Sequence, residues 1–241
     1  MTRIAKYLAN LGIASRRDIE KMIADGRITL NGSPVTTPAT FIETSDKKQE
    51  IRIDGRIPKE LRHPGEGRGP LPRRELYIFH KPIGCLTTAK DPLNRKTIYD
   101  YLPPQYKNLK YIGRLDYNTS GLLLMTNDGE LARKLTDPAA KIPRTYIAKL
   151  SNTISMDDAM FSRVTKPART GIKIDGIIYR PVKIRRIDGM DSEITITEGK
   201  KNEIRIIFAH LGLPVRKLHR ISYGEYKLPA DLKPGHIVYS G

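Results

Sequence analysis

Residues 113–121 read G-R-L-D-Y-N-T-S-G, and the apolar residues L-L-L-M follow immediately at 122–125. The segment places one carboxylate, Asp116, after an arginine and before small turn-forming residues, at the start of a predicted buried strand. Most aspartates in such surroundings cap a turn, and the segment alone favours that role. A carboxylate at the edge of a buried strand is costly, however, unless it is paired or takes part in chemistry. Other parts of the chain favour the chemical role.

The chain of 241 residues is strongly basic, with 43 Lys and Arg against 26 Asp and Glu and a formal net charge of +17. Such an excess predicts a polyanionic partner, and nucleic acid is the first candidate because neutralising phosphates releases counterions. An anionic membrane surface is the competing partner, but neither a basic amphipathic helix nor a lipidation signal is evident. No apolar run approaches the roughly 18 residues that a membrane span needs.

Cys85 is the single cysteine, which excludes an internal disulfide and a cysteine-based zinc site. The N-terminal residues lack the apolar core and cleavage site of a signal peptide. We therefore expect a protein of the cytoplasm or of an equivalent reducing compartment.

Motifs for metal, nucleotide and hydrolase chemistry are missing from the sequence. The five histidines show no HExxH spacing, no P-loop glycines surround Lys200 and Lys201, and no GxGxxG follows a predicted strand. The order of residues leaves a Ser-His-Asp triad open, although there is no GxSxG elbow. We expect no metal and no cofactor.

Residues 61–74, rich in Gly and Pro, predict a flexible linker between a module at 1–60 and a larger domain at 75–241. Residues 1–60 hold 11 Lys and Arg and 8 Asp and Glu, a net charge of +3, so the larger domain carries most of the basic excess. The module's pattern predicts a helix ending near Gly12, a second helix capped by Ser15, and short strands at 27–32 and 51–55.

The phrases G-I-A-S-R-R at 12–17 and I-A-D-G-R-I-T-L-N-G at 23–32 strongly resemble the S4-type RNA-binding module, over roughly residues 2–55. That resemblance implies a fold that lays its two helices against structured RNA. Arg16 and Arg17 stand at the start of the second helix, whose N-terminal amides also attract phosphate, so both are candidate RNA contacts.

In the larger domain, predicted strands outnumber helices and are separated by short turns, which indicates an α+β fold with a mainly antiparallel sheet. Asp128 is expected to cap a short helix, and Asn202 a second one whose apolar face includes Ile204. The strands are predicted at 76–82, 122–125, 146–150, 172–174, 177–180, 182–187 and 193–196.

Basic residues flank the helix expected after Asn202, and they predict a phosphate-contacting surface that includes Lys200, Lys201 and Arg220. Arg205 differs from these residues because it adjoins the apolar face, where an arginine normally needs a carboxylate partner. Asp116 is the expected partner.

Five motifs then occur in order along the larger domain: GRLDxxTSGLLL at 113–124, TNDG at 126–129, RTY at 144–146, EGxxxEIR at 198–205 and LHRISYG at 218–224. Together with the module in front, they resemble the RsuA-type family of ribosomal RNA pseudouridine synthases. The resemblance spans nearly the whole chain outside the linker, and its first motif is highly specific in this context.

By position, the resemblance implies that Asp116 is the catalytic carboxylate and that Arg114 helps to displace the target base. It further implies that Tyr146 lies against the flipped uracil, that Ile204 forms an apolar wall and that Arg205 pairs with Asp116.

Two positions depart from the family pattern, which often has Gln at Glu203 and Arg at Ile206. The glutamate is similar to the large-subunit branch of the family.

The expected reaction breaks the N1–C1′ bond of a uridine and forms a C5–C1′ bond, so it needs neither a redox cofactor nor an energy source. The expected partner is ribosomal RNA or a pre-ribosomal particle, and the protein is expected to act as a monomer. Two alternatives use the same basic surface: a noncatalytic RNA-binding or ribosome-assembly protein, and a nucleobase glycosidase that releases the free base.

Overall fold

The computed structural model describes residues 1–43, 49–58, 61, 75–153 and 155–240. The chain divides into two compact units, Met1–Arg73 and Arg74–Gly241. Apart from Leu61, the linker predicted at 61–74 lies outside the described residues. No helix in the described ranges is long and apolar enough to cross a membrane.

The first unit packs two short helices on small antiparallel sheets. Ser15 Oγ accepts a hydrogen bond from Asp18 N at 3.2 Å, which confirms the predicted cap of the second helix. The helices are α1 (Ile4–Asn10) and α2 (Arg16–Ala24), and the strands are β1 (Thr2–Arg3), β2 (Ile28–Leu30), β3 (Ser33–Pro34), β4 (Phe41–Ile42) and β5 (Ile51–Ile53). Strand β2 lies between β3 and β5, and β1 pairs with β4. The core is small and is centred on Ile4, Leu8 and Ile19, which are fully buried.

The second unit has eleven strands: β6 (Leu76–Lys81), β7 (Lys110–Ile112), β8 (Thr119–Thr126), β9 (Arg144–Leu150), β10 (Ile172–Ile174), β11 (Ile177–Tyr179), β12 (Lys183–Arg186), β13 (Asp191–Ile196), β14 (Val215–Tyr223), β15 (Tyr226–Lys227) and β16 (Ile237–Tyr239), counted over the described residues. Nine of them form one sheet with the order β12-β13-β9-β14-β8-β6-β16, in which β7 also pairs with β8 and β15 with β14; β10 and β11 form a separate two-stranded sheet in this unit. Its helices are α3 (Gly129–Thr136), α4 (Asp158–Thr170) and α5 (Glu203–His210). The predicted α+β class with a mainly antiparallel sheet is confirmed.

Both faces of strand β8 are buried, which explains the uninterrupted apolar run at 122–125. Leu123 and Met125 belong to the main core, whereas Leu122 and Leu124 belong to a second cluster on the other face of the sheet. Strand β8 pairs antiparallel with β6 and parallel with β14, so it lies inside the sheet. The segment at 113–118 is the loop that enters this strand.

Strand β14 was not among the strands predicted from the sequence. Its basic residues at 216, 217, 219 and 220 indicated a phosphate-contacting surface, but the structure makes them part of the central strand between β8 and β9. Leu218 and Arg220 are buried on the face that lines a cleft, while Lys217 is exposed. The charges hid an alternating strand pattern.

Helix α4 was also unpredicted, because Pro167 and several polar residues interrupt its apolar periodicity. Asp157 caps the helix by accepting a hydrogen bond from Met160 N at 2.6 Å. Phe161 and Ala168 bury its inner face in the main core.

Candidate active site

A cleft of about 590 Å³ lies in the second unit, over the middle of the sheet. Its wall is formed by the loop at 113–116, by residues of β9 and β14, and by the segment at 198–205 that leads into α5. Four of the five motifs of the second unit thus contribute to one cavity, although they are up to about one hundred residues apart in the sequence.

Asp116 lines the cleft with an exposed side chain, while hydrogen bonds hold its main chain in place. Its carbonyl oxygen accepts hydrogen bonds from Thr119 N at 3.0 Å and from Lys81 Nζ at 3.2 Å. The Lys81 ammonium is fully buried and also donates to the carbonyl oxygens of Pro82 and Thr119, at 3.0 and 2.9 Å. Burial lowers the pKa of Lys81, an effect that Cys85 and Asp116 oppose. A buried cation therefore ties the Asp116 loop to the end of β6.

Tyr146, Arg220 and Gly121 lie in one row across the sheet, because Arg220 is the Cα partner of both Tyr146 on β9 and Gly121 on β8. Tyr146 is buried and lines the cleft. Gly121 has φ +107°, and a Cβ atom there would lie 2.2 Å from the carbonyl oxygen of Arg220. The glycine of the first motif is required by this close approach of two strands.

Arg220 is only 1% exposed, which differs from the solvated phosphate contact that the sequence suggested. Its Nε donates to Leu122 O at 2.7 Å, and its guanidinium lies 5.1 Å from the centre of the Tyr223 ring. Its Nη2 has no hydrogen-bond partner among the described residues. Arg220 is thus a cation in the floor of the cleft.

Arg205 does not form the expected ion pair with Asp116 in the part of the chain that the structure describes. Instead, Nη1 donates to Val215 O at 2.9 Å and Nη2 donates to Asn118 O at 2.9 Å. The prediction failed because two main-chain carbonyls satisfy the guanidinium where a carboxylate was expected. Arg205 thereby links α5, the start of β14 and the loop that follows Asp116.

The other predicted residues of the second unit also line the cleft. Ile204 is buried at the start of α5, whereas Arg114, Lys200 and Lys201 are exposed. Lys200 Nζ donates to Ile178 O at 2.9 Å. The cleft therefore brings together Asp116, Tyr146, Arg205, Arg114, Ile204, Lys200, Lys201 and Arg220.

Arg16 and Arg17 lie in the first unit, where both are exposed at the start of α2. Arg16 pairs with Glu20 at 3.3 Å on the same helix.

Sequence reasoning missed several residues that shape the cleft, among them Leu218 and Arg144. Arg144 Nη1 donates to Glu198 O at 3.0 Å, and Nη2 donates to the Tyr223 hydroxyl at 2.9 Å. Its guanidinium packs 4.8 Å from the centre of the Tyr223 ring. Two signals could have placed Leu218 in the wall: it begins the motif at 218–224, and it alternates with Arg220 along a strand. Among the described residues, no group of three or more His, Cys, Asp or Glu side chains is arranged to hold a metal ion.

Comparisons with known proteins agree with this division of the chain. The model of the RNA pseudouridylate synthase family matches residues 75–210, and that of the S4 domain matches residues 2–48. An uncharacterized RNA pseudouridine synthase of Rickettsia typhi is 39% identical over 239 residues, which cover 98% of this chain and 90% of the relative. A ribosomal large subunit pseudouridine synthase B of Haemophilus influenzae is 36% identical over 242 residues, which cover 97% of this chain and 63% of the relative.

A crystal structure of a pseudouridylate synthase has the same fold. It superposes with a TM-score of 0.67 and 24% sequence identity, and the match covers 100% of this chain and 96% of that one.

Proposed function

We propose, from the premise that this chain belongs to the RNA pseudouridylate synthase family, that its cleft converts one uridine of ribosomal RNA to pseudouridine with Asp116 as the catalytic carboxylate. The observation that carries the proposal is the position of Asp116. Among the carboxyl residues that line the cleft it is the exposed one, and the same cleft is lined by four arginines and two lysines. A surface that only bound RNA would gain nothing from a negative charge directed at phosphate.

The chemistry fits a site without a cofactor. The N1–C1′ bond of uridine breaks, the uracil turns within the cleft, and a C5–C1′ bond forms, so the product has the same atoms as the substrate. The proton on C5 must leave and a proton must be supplied to N1. An ionised Asp116 can act as the nucleophile or as the base in these steps.

The walls of the cleft suit a base that has left its stack. A uridine in folded RNA is reached by extrusion, and an aromatic side chain replaces the lost stacking. In this proposal Tyr146 lies against the extruded uracil, and Ile204 covers its other side. Arg114 would help to displace the target base, and Lys200 and Lys201 would contact phosphate. The buried Arg220 would supply positive charge from the floor of the cleft, while Arg205 positions the Asp116 loop.

The proposed substrate is large-subunit ribosomal RNA, free or in a pre-ribosomal particle, acted on by a monomer in the cytoplasm. Support comes from the Haemophilus influenzae relative, whose name assigns it to the large subunit, and from the S4 domain, a module that the sequence resemblance associates with structured RNA. Arg16 and Arg17 would supply part of the S4 affinity.

Asp116→Asn tests the proposed role, since Asn keeps the shape of the side chain and removes the charge and the reactive oxygen. We expect pseudouridine formation in ribosomal RNA to fall below detection, while RNA affinity at fixed salt stays the same or rises slightly because a repulsive charge is lost. The measurements are single-turnover pseudouridine formation and filter binding on the same transcript.

Asp231→Asn is the matched control, because Asp231 is an exposed carboxylate that does not line the cleft. Undiminished turnover by Asp116→Asn would refute the catalytic role. A wild-type protein that binds ribosomal RNA without modifying any uridine would favour the noncatalytic alternative, and release of free uracil would favour the glycosidase.

A further inference from the structure

Two carboxyl groups face each other in the wall of the cleft. Glu203 is the first residue of α5, and Glu198 lies five residues earlier, so the turn between them brings the two side chains within hydrogen-bonding reach. Both residues line the cleft. Glu203 is 3% exposed, and its Oε2 accepts a hydrogen bond from Lys200 N at 3.0 Å.

Glu198 has the surroundings of an ionised carboxylate. Its Oε1 accepts a hydrogen bond from Arg180 N at 2.7 Å, and its Oε2 forms an ion pair with the Lys200 ammonium. Burial acts to raise the pKa of Glu198, but these two donors outweigh it, and its pKa lies below the usual value. Arg144 adds a further positive charge beside this segment, since it donates to the main-chain oxygen of Glu198.

Glu203 has the surroundings of a neutral acid. Its Oε1 is buried and accepts no hydrogen bond, and no cation forms an ion pair with its carboxyl group among the residues that the structure describes. Burial, and after it the negative charge of Glu198, raise the pKa of Glu203 to about 7. The N-terminus of α5 favours a negative charge at this position, but it does not offset these two effects.

A hydrogen bond between two carboxyl groups requires one proton, because ionised carboxylates only accept. We infer that Glu203 is a positioning residue for the isomerisation, and that its protonated carboxyl group donates to Glu198 and fixes the wall of the cleft. The inference rests on the proposed function of the cleft.

The geometry shows what this hydrogen bond would hold in place. Residues 198–203 form a short turn that carries Lys200 and ends where α5 begins. The next two residues are Ile204, which lines the cleft, and Arg205, which reaches Asn118 O in the loop after Asp116. Loss of the proton places two negative charges, on Glu198 and Glu203, side by side at the start of α5. Their repulsion moves the turn at 198–203, and Arg205, which holds the Asp116 loop, moves with it.

The test compares the wild-type protein with Glu203→Gln, which keeps a donor and an acceptor at this position and cannot ionise. Single-turnover rates are measured with saturating full-length protein on a transcript of large-subunit ribosomal RNA. In the wild type, the rate constant should fall about tenfold between about pH 6 and about pH 8.5, as Glu203 loses its proton. Glu203→Gln should lack this fall and should exceed the wild type at the high end of the range.

Two further variants make the result specific. Glu193→Gln makes the same chemical change at a carboxylate of β13 that pairs with Arg185 at 2.9 Å, and it should keep the wild-type pH profile. Glu203→Ala removes both donor and acceptor and should be slow at every pH. A wild-type fall that persists unchanged in Glu203→Gln would overturn the inference, as would full activity of Glu203→Ala.

Thermal unfolding gives a readout that does not depend on activity. A group whose pKa rises on folding stabilises the protein when protonated, and that stability is lost as pH increases from the unfolded pKa to the folded one. The Tm of the wild type should therefore fall, relative to that of Glu203→Gln, between about pH 4.5 and about pH 7, and stay level above that range. Parallel Tm curves would overturn the inference even in an active enzyme. A wild type inactive at every pH would instead refute the proposed function, and the Tm comparison would still test the shared proton.

Discussion

The two units use charge in different ways. In the first unit, Arg27 pairs with Asp54 at 2.6 Å and Arg52 pairs with Glu50 at 2.7 Å, and all four side chains are about half exposed. In the second unit, Lys81, Arg220 and Glu203 are buried. Exposed pairs contribute little to stability, whereas buried polar groups must be satisfied by defined partners. The first unit therefore keeps these charges at its surface, whereas the second buries charged side chains that hold its own main chain.

Two glycines with positive φ, one in each unit, differ in how closely other atoms pack around them. Gly26 follows α2 with φ +69°, and a Cβ atom there would meet nothing within 4 Å. Gly121 also has a positive φ, but its missing side chain is required by the main chain of Arg220. The first unit thus has room for a side chain at Gly26, whereas the packing of β8 against β14 in the second unit leaves none at Gly121.

The largest effect on stability is expected from Gly121→Ala. A Cβ atom in this position cannot be accommodated without moving β8 away from β14, so we expect the second unit to lose at least about 3 kcal/mol of unfolding free energy, from steric overlap and backbone strain together. Gly26→Ala, which adds only the strain of a left-handed conformation, should cost the first unit about 1 kcal/mol. Hydrogen exchange of peptides from each unit, read by mass spectrometry, measures the two effects separately. Equal losses of unfolding free energy in the two variants would show that the glycines are not packed differently in the two units.

An intermediate effect, on rate alone, is expected from Arg205→Lys. Lysine keeps the charge but cannot span the carbonyl oxygens of Val215 and Asn118 with one planar group. The loop after Asp116 loses a fixed point, and we expect the single-turnover rate to fall about 10–100-fold, as misplaced catalytic groups usually cause. RNA affinity should change little. Filter binding beside the rate assay checks this, and an affinity loss equal to the rate loss would assign Arg205 to the RNA surface.

The smallest effect is expected from the double variant Arg16→Gln, Arg17→Gln in the first unit. Each arginine is exposed and can neutralise about one phosphate, so the slope of log affinity against log salt should decrease by about 2. The turnover rate at saturating protein should stay unchanged, because neither residue lines the cleft.

Arg27→Gln is the control for this double variant, since Arg27 donates to both carboxylate oxygens of Asp54, at 2.8 and 2.6 Å, whereas Arg16 approaches Glu20 only to 3.3 Å and Arg17 forms no ion pair among the described residues. A similar change of slope in Arg27→Gln would show that general charge, and not the start of α2, determines the affinity.

Local patterns were the part of the fold that the sequence predicted well. Ser15 and Asp128 cap α2 and α3 as expected, because a capping side chain acts on amides two or three residues away. Asn202 shows the limit of this reasoning. Helix α5 begins after it, but Asn202 has φ +54° and its side chain makes no capping hydrogen bond. The carboxyl group of Glu203 instead accepts a hydrogen bond from Lys200 N in the preceding turn.

The sequence predicted which residues belong to the candidate site, but it did not predict which atoms they contact. Motifs in the sequence named Asp116, Tyr146 and Arg205, and the structure brings all three to one cleft. The partner of Arg205 could not be predicted, because a main-chain carbonyl leaves no mark in a sequence. Lys81 was missed for the same reason, since its three acceptors are all carbonyl oxygens.

The place of β14 in the sheet has a consequence for how the protein is made. This strand is synthesised after β8 and β9, yet it is the only strand that joins the β12-β13-β9 part of the described sheet to the part that holds β6, β7 and β8. A nascent chain that ends before residue 215 holds Asp116 beside one part and Tyr146 in the other, with nothing between them. Such late, long-range pairing is slow compared with local structure. The cleft is thus assembled only once β14 has been synthesised, and a chain that stops before this strand lacks a complete site.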